Sequence, residues 1–487
     1  MKMKFILIFT LSIATARCGQ PSYFGSSSPL TTGVIGKFWG ETSLLDSSIY
    51  GTDDPGTTLA ALVRDFDVAV SGSTLQIMGS LLNPVSEKYT AYAAIFGSDL
   101  TSIASVAATD AGAVSVGANP YGLFVAQAFF GTTSINTRWT GSAWQNYTSK
   151  TSLSQSPDTL TDATEIAFPT TATVFDQYAR GTLFFVYKNI ANDQLYSQNW
   201  NFSTSTGTVD PIRVSTDTLA SRHFSAVFDG VNQVCASNAT LTEIKVRCAT
   251  AGATAADLTS PTTTTTTTAA TTDHQMVTDG SGGLMLVYTK SSDATVYTAL
   301  RSAAGAWTSS SFSTTATPYK IGVTHVGSGN YLAVWIEQNT TAQTTAVYSS
   351  LYTAGVGWSD PVAVTDSDDT YTSIPHPQSL DVFSNGNGNA GFALNTLYVD
   401  TSAKMYEAPN GTRRIWTARW QSTSGWLPVN DIVDLCYSDY TIPAGYTADG
   451  SCKHVPRGVI LPSGDTAVFF QTLDDYGYRR LGVVEFK

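Results

Sequence analysis

Histidine is rare in this chain of 487 residues, and its placement invites a chemical reading. The five are His223, His274, His325, His376 and His454. His223 and His274 stand seven and six residues before the turn glycines Gly230 and Gly280, and His376 and His454 each stand ten before Gly386 and Gly464. A partial ring of imidazoles at one mouth of a channel would bind an anionic ligand or a metal ion. Histidines that merely satisfy loop hydrogen bonds would show the same spacing. His325 sits differently, two residues before Gly327. No short His/Cys/Asp spacing of the zinc type occurs, so neither a metal nor a cofactor is expected.

Carboxylate chemistry finds less support. Cleaving a glycosidic bond needs two acids flanking it. Adjacent acids occur at Asp53-Asp54, Asp368-Asp369 and Asp474-Asp475. Neighbours on a strand point to opposite faces, and all three pairs fall in loop-like sequence, where solvated turns explain them. No Gly-x-Ser-x-Gly elbow and no phosphate-binding glycine loop is present. No catalytic residue is therefore assigned, and an enzyme is not the expectation.

The cysteines point to an exported protein. There are five, an odd number: Cys18, Cys235, Cys248, Cys436 and Cys452. Cys235 and Cys248 fall on two successive expected strands of one hairpin, which suits a cross-strand disulfide. Cys436 and Cys452 would close one long loop. Cys18 is left at the edge of an N-terminal segment that reads as an export signal. Lys2 and Lys4 give a basic start, and Phe5 to Ile13 is mostly apolar but too short to span a bilayer. Ala14-Thr15-Ala16 suits ordinary cleavage before Arg17. The alternative is lipid attachment at Cys18, where the region resembles a bacterial lipobox with Arg17 in place of the usual small residue. Residues 1–17 are thus expected as signal peptide, 18–33 as tether and 34–487 as the folded domain. The protein is expected on the outer membrane or cell surface through that lipid, or alternatively as a secreted or periplasmic monomer.

These residues must be positioned by strands. Charged residues make up only 13% of the chain and aromatic ones 11%, a composition suited to strands joined by polar turns. One unit recurs: an apolar strand, a second strand bearing aromatics, and often a closing Gly and Trp. The clearest copy runs NYLAVW from Asn330, AVYSSLY from Ala346, and GVGW ending at Trp358. Copies start near 73, 121, 182, 232, 283, 330, 389 and 465, a spacing near that of a four-stranded propeller blade. A short strand ending in a Gly or Asn turn precedes the copies, as in AVFDG and MVTDG, and would be the innermost of each unit. The expectation is an all-β, single β-propeller of eight four-stranded blades, with seven as the alternative. The last copy lacks a fourth strand, and the segment from Phe38 is expected to supply it. Seven threonines from Thr262 to Thr268 fit an outer strand or a loop.

The overall pattern resembles exported bacterial β-propellers, and the Gly-Trp endings at Trp144, Trp307, Trp358 and Trp426 look like those of propeller lectins. That resemblance implies aromatics that stack on sugar between blades; the same residues would equally fill space between sheets. A sialidase-like architecture is implied without the Ser-x-Asp-x-Gly-x-x-Trp turn of that family, which is absent here. The net charge of −12 disfavours phosphate backbones, so nucleic acid is not an expected partner. The expected function is a non-enzymatic surface or secreted binding protein for glycan or host protein. The rivals are an exported carbohydrate-active enzyme and a structural envelope protein.

Overall fold

The run Leu284-Met285-Leu286-Val287-Tyr288 is apolar without interruption, and all five residues are buried. Alternate residues of a strand face opposite ways, so both faces of this strand must be covered. They are. Leu284, Leu286 and Tyr288 pack against Cys235, Ile244 and Val246, which precede them in the chain. Met285 and Val287 pack against Ile321, Val323 and Trp335, which follow.

In this computed structural model the backbone is described for the strands between Val34 and Phe486 and for most of the turns from Asp229 onward. Side chains are described chiefly over residues 224–240, 243–251, 273–337, 346–365, 380–394, 415–429 and 456–470. Among the described residues every regular element is a strand, and the strands form eight antiparallel sheets. Sheet one runs Leu62–Ser71, Thr74–Asn83, Lys88–Phe96, Ser102–Thr109. Sheet two runs Ala113–Ala118, Phe124–Phe130, Thr133–Trp139, Trp144–Asn146. Sheet three is Thr171–Phe175, Arg180–Lys188, Asp193–Asn201, then Thr206–Gly207 and Ile212–Arg213. Sheet four is Phe224–Phe228, Gln233–Ala239, Glu243–Thr250, Thr263–Thr266. Sheet five is Thr271–Thr278, Leu284–Lys290, Thr295–Arg301, Trp307–Ser313. Sheet six is Pro318–Gly327, Asn330–Asn339, Thr344–Thr353, then Gly357–Trp358 and Val362–Ala363. Sheet seven is Ser373–Ser384, Asn389–Tyr398, Arg413–Gln421, then Gly425–Trp426 and Asn430–Asp434. Sheet eight is Arg457–Ile460, Thr466–Leu473, Arg479–Phe486, and its fourth strand is Val34–Phe38 from the other end of the chain.

Within every sheet the order in space is the order in sequence, apart from that last strand. The first strand of each sheet packs against the first strand of the next, from sheet one through sheet eight, and that of sheet eight against that of sheet one. The arrangement is propeller-like. Second strands begin at Thr74, Phe124, Arg180, Gln233, Leu284, Asn330, Asn389 and Thr466, each within a few residues of an expected repeat start. The N-terminal strand departs in detail from expectation. It ends at Phe38, where the sequence placed its beginning, and pairs Val34 with Glu485 and Phe38 with Gly482. The threonine tract resolves as a strand over Thr263–Thr266, on the outer edge of sheet four. Among the described residues no helix is long and apolar enough to cross a membrane.

Two glycines show what this packing demands. Gly230 adopts φ +86°, and a Cβ there would lie 2.1 Å from the carbonyl oxygen of Gly280 in the next sheet. Gly458, on the first strand of sheet eight, lies under the buried ring of Phe383 from sheet seven. A Cβ there would lie 1.7 Å from Phe383 Cε1. Gly458→Ala is accordingly expected to cost about 3 kcal/mol, through overpacking against the ring. Gly355→Ala, at φ +78° in an open turn with nothing within 4 Å, is expected to cost about 1 kcal/mol for the backbone alone. Urea denaturation of the two variants checks the ranking, and equal midpoints would contradict it.

Candidate functional site

Neighbouring first strands belong to different sheets, so no backbone ladder joins them. Short polar side chains join them instead. Ser225 Oγ donates to the Met276 carbonyl at 3.0 Å and accepts from the Met276 amide at 3.1 Å, tying sheet four to sheet five. Asp273 Oδ2 accepts from the Ile321 amide at 3.1 Å, and Gln275 Oε1 from the Val323 amide at 2.7 Å, tying five to six. Lys320 lies 3.5 Å from Asp273. Thr324 donates to Ser384 Oγ at 2.7 Å, and Ser384 donates to the His325 carbonyl at 2.6 Å, tying six to seven. Asp381 Oδ2 accepts from the Gly458 amide at 2.7 Å, tying seven to eight.

Burial pushes the Asp381 carboxyl above the usual range, and the Asp67 charge adds to this. The Arg457 guanidinium and the Gly458 amide oppose the rise. Glu337, buried on sheet six, accepts from Trp335 Nε1 at 2.8 Å and from the amides of Thr315 and Ala316 at 3.3 and 2.8 Å. These ionised or polar groups are held by amides and cations of neighbouring strands. Buried polar atoms need such partners, since each left unmet costs about 1–3 kcal/mol. Sequence reasoning did not single out Ser225, Gln275, Asp381 or Glu337. Their only sequence signal is a polar residue within a strand.

The two ends of the sheets differ. At one end lie the hairpin turns that close the first and second strands, and the third and fourth. They are short, rich in Gly, Ser, Ala and Asn, and internally bonded. Asp229 Oδ1 accepts from the amides of Val231, Asn232 and Gln233, each at 2.9 Å. Gly282 of the next turn donates to the Asp229 carbonyl at 2.8 Å. Arg301 then bridges both turns, donating to Gln233 Oε1 at 2.7 Å and to the Gly282 carbonyl at 3.2 Å. The strand ends joined by residues 39–61, 147–170, 399–412 and 435–455 lie at the other end, and those four segments themselves lie outside the described residues. One long segment, 252–262, belongs to the turn end.

Of the four spaced histidines, His274 and His376 each lie three residues into a first strand, Thr271–Thr278 and Ser373–Ser384. His274 is described in full. It is completely buried between sheets four and five, with Nε2 3.3 Å from the Ser237 carbonyl. Burial holds its pKa below the ordinary 6.5, against the raising influence of Asp273 and of that carbonyl. His376 falls in the irregular stretch of its strand between Pro375 and Leu380. His223 and His454 lie outside the described residues. His325 belongs to the turn end, where it faces the Tyr331 ring at 5.4 Å, and burial lowers its pKa too. Among the described residues no three His, Cys, Asp or Glu side chains group as a metal site.

Three tryptophans of the Gly-Trp endings, Trp307, Trp358 and Trp426, are wedged between sheets. Trp358 Nε1 donates to Thr298 Oγ1 of the preceding sheet at 3.2 Å, and Trp426 Nε1 to Ser349 Oγ of the preceding sheet at 2.7 Å. Trp307 packs on the cluster that joins sheets four and five. These three fill space between adjacent sheets. The side chain of Trp144 lies outside the description. Cys235 and Cys248 form the expected disulfide between second and third strands of sheet four. Cys18, Cys436 and Cys452 lie outside the described residues, as do Asp53-Asp54, Asp368-Asp369 and Asp474-Asp475.

No family model matches the chain, and no curated protein matches it. Solved structures that resemble it include the β-propeller domain of the Trilobed protease from Pyrococcus furiosus, at 9% identity and a TM-score of 0.38 over 75% of this chain and 96% of that one. A putative 6-phosphogluconolactonase from Bacteroides uniformis matches at 10% identity and a TM-score of 0.40, over 73% and 92%. A protein of unknown function from Dyadobacter fermentans matches at 10% identity and 0.38, over 65% and 93%. Likeness at this level says nothing of activity.

Buried His274 and half-buried His325 set a pH dependence. A histidine with a lowered folded pKa takes its proton more readily in the unfolded chain. Its stabilising contribution is complete above about pH 6.5 and erodes as the pH falls below that value. Each such histidine contributes a slope of at most about 1.4 kcal/mol per pH unit. Denaturant midpoints between pH 7.5 and 5 are expected to fall in the wild type and to fall less steeply in His274→Gln. Parallel profiles would contradict the assignment.

Proposed function

We propose that this chain is an exported, non-enzymatic binding scaffold: an eight-bladed β-propeller closed by its N-terminal strand, carrying a lipid on Cys18 and presenting glycan- or protein-binding loops at one end. Three findings support the closed eight-bladed form. There are eight sheets among the described residues, their first strands meet in cyclic order, and Val34–Phe38 pairs with Arg479–Phe486. The observation that carries the binding reading is the contrast between the two sheet ends. One end is bound into itself by backbone-anchored turns, while the other takes in four long connections. Binding residues concentrate on loops that a rigid scaffold positions.

The described carboxylates of the sheet interiors favour binding over hydrolysis. Asp273, Asp381 and Glu337 each accept from backbone amides of neighbouring strands or turns. Asp229 caps the turn beside Gly230. Acids so engaged belong to the framework. A glycosidase needs a pair that opposes across an open cleft. The Gly-Trp indoles are likewise committed to neighbouring sheets, so a sugar ligand would be met by loops at the connection end.

Binding to arrays of immobilised glycans and extracellular-matrix proteins tests this reading. Replacing residues 399–412 and 435–455 with short Gly-Ser links is expected to abolish the signal, while Val356→Lys at the turn end leaves it intact. Radiolabelled fatty acid is expected in the wild type and absent from Cys18→Ala. Turnover of aryl glycosides by the intact protein, or loss of binding in Val356→Lys alone, would contradict the proposal.

A further inference from the structure

Seven of the eight junctions between first strands join sheets that are consecutive in the chain. The eighth joins the last sheet to the first, and this seam has its own device. Arg457 opens the first strand of sheet eight. Its Nε lies 3.7 Å from Asp67 Oδ1 on the first strand of sheet one, and its Nη1 lies 3.7 Å from Asp381 Oδ1 on the first strand of sheet seven. Three sheets therefore meet at one guanidinium. The three side chains keep only 25%, 21% and 17% of their exposure, so the contacts are partly shielded from solvent. The adjoining residue adds a second hold, since the Gly458 amide donates to the other oxygen of Asp381 at 2.7 Å.

A guanidinium suits this place for a physical reason. It is planar, permanently charged, and offers N–H donors along more than one edge, so it can serve two carboxylates at once. A lysine ammonium on a flexible stem is a point charge and would favour one of them. Elsewhere the joints between described first strands use Ser225, Gln275, Ser384 and the Asp273–Lys320 pair, which spans two sheets rather than three. Chain continuity is broken inside sheet eight, where Val34–Phe38 meets Arg479–Phe486, so no backbone ties the strand that Arg457 opens to sheet one except around the whole ring.

We infer that Arg457 is the clasp of the ring: it holds sheet eight between sheets seven and one, and its loss opens the fold at this seam while the remaining sheets persist. The inference rests on the closed-ring reading given above. It assigns a conformational role to a charge cluster that would otherwise pass for a ligand site on the inner strands.

Hydrogen–deuterium exchange of the full chain, followed by mass spectrometry, tests it. In the wild type the peptides holding Val34–Phe38 and Arg479–Phe486 are expected to be protected. In Arg457→Gln these peptides, with Leu62–Ser71 and Arg457–Ile460, are expected to exchange at least tenfold faster, while sheets four to six exchange as before. Arg301→Gln, which removes a guanidinium bridging sheets four and five, is expected to leave Val34–Phe38 protected. Asp67→Asn provides a second variant with the same selective opening if Arg457→Gln fails to fold. Unchanged seam exchange in both Arg457→Gln and Asp67→Asn, or acceleration spread evenly over all eight sheets, would overturn the clasp. Rapid exchange of Val34–Phe38 already in the wild type would overturn the closed ring instead, so the two failures are distinct.

Discussion

The structure depends on strands that are greasy on both faces. Leu284 to Tyr288 and Tyr331 to Ile336 are buried without a break, so neither face of sheets five or six can be left to water. Burying a side chain of this size stabilises by about 1.5–3 kcal/mol, and exposing one face of a sheet would forfeit several such terms together. A sheet of this kind needs two neighbours. A row of such sheets leaves its first and last members each short of one, and the shortage ends only when those two meet. The pairing of Val34–Phe38 with Arg479–Phe486, and the contact between the first strands of sheets eight and one, follow from this requirement.

Apolar packing alone would let sheets slide over one another, because it has little directional preference. The inner strands add direction. Each bond from Ser225, Gln275, Asp273, Ser384 or Asp381 to a neighbouring backbone fixes one register of one sheet against the next. The indoles of Trp358 and Trp426 do the same near the outer edge, each donating to a hydroxyl of the preceding sheet. The interior polar groups are thereby framework, which leaves the sheet ends as the surface free to vary.

Much of this was legible in sequence because its causes are local. Asp-Gly and Asn-Gly turns, such as those at Gly230, Gly280 and Gly386, punctuate the repeat, and the apolar runs after them mark the second strands. Cys235 and Cys248 fall opposite one another because a tight hairpin joins their strands, and the disulfide follows from that. The Gly-Trp endings announced a role between sheets as well as a role in sugar stacking, and their hydrogen bonds favour the former. The N-terminal strand was misplaced by its own length, since Val34–Phe38 carries a glycine and a lysine and lacks the apolar signature of an inner strand. The polar joints were invisible for a different reason. Asp273 meets Ile321 across 48 residues and Asp381 meets Gly458 across 77, distances over which periodicity carries no information. His274 shows how sharply a face is chosen. It lies on a first strand, and its ring is sealed between two sheets, because one residue of register decides which way a strand side chain points.

The central claim is that the two ends of the chain meet in one sheet and so close the ring. Oxidative cross-linking of Lys37→Cys with Val483→Cys, partners in the β register, tests it most directly. One intrachain disulfide beyond Cys235–Cys248 is predicted in the folded protein, with a marked rise in denaturation midpoint. Closing a loop of nearly the whole chain is worth about 6 kcal/mol by chain entropy. Thiols that stay reduced under oxidising conditions, in a protein whose sheets remain folded, would contradict it.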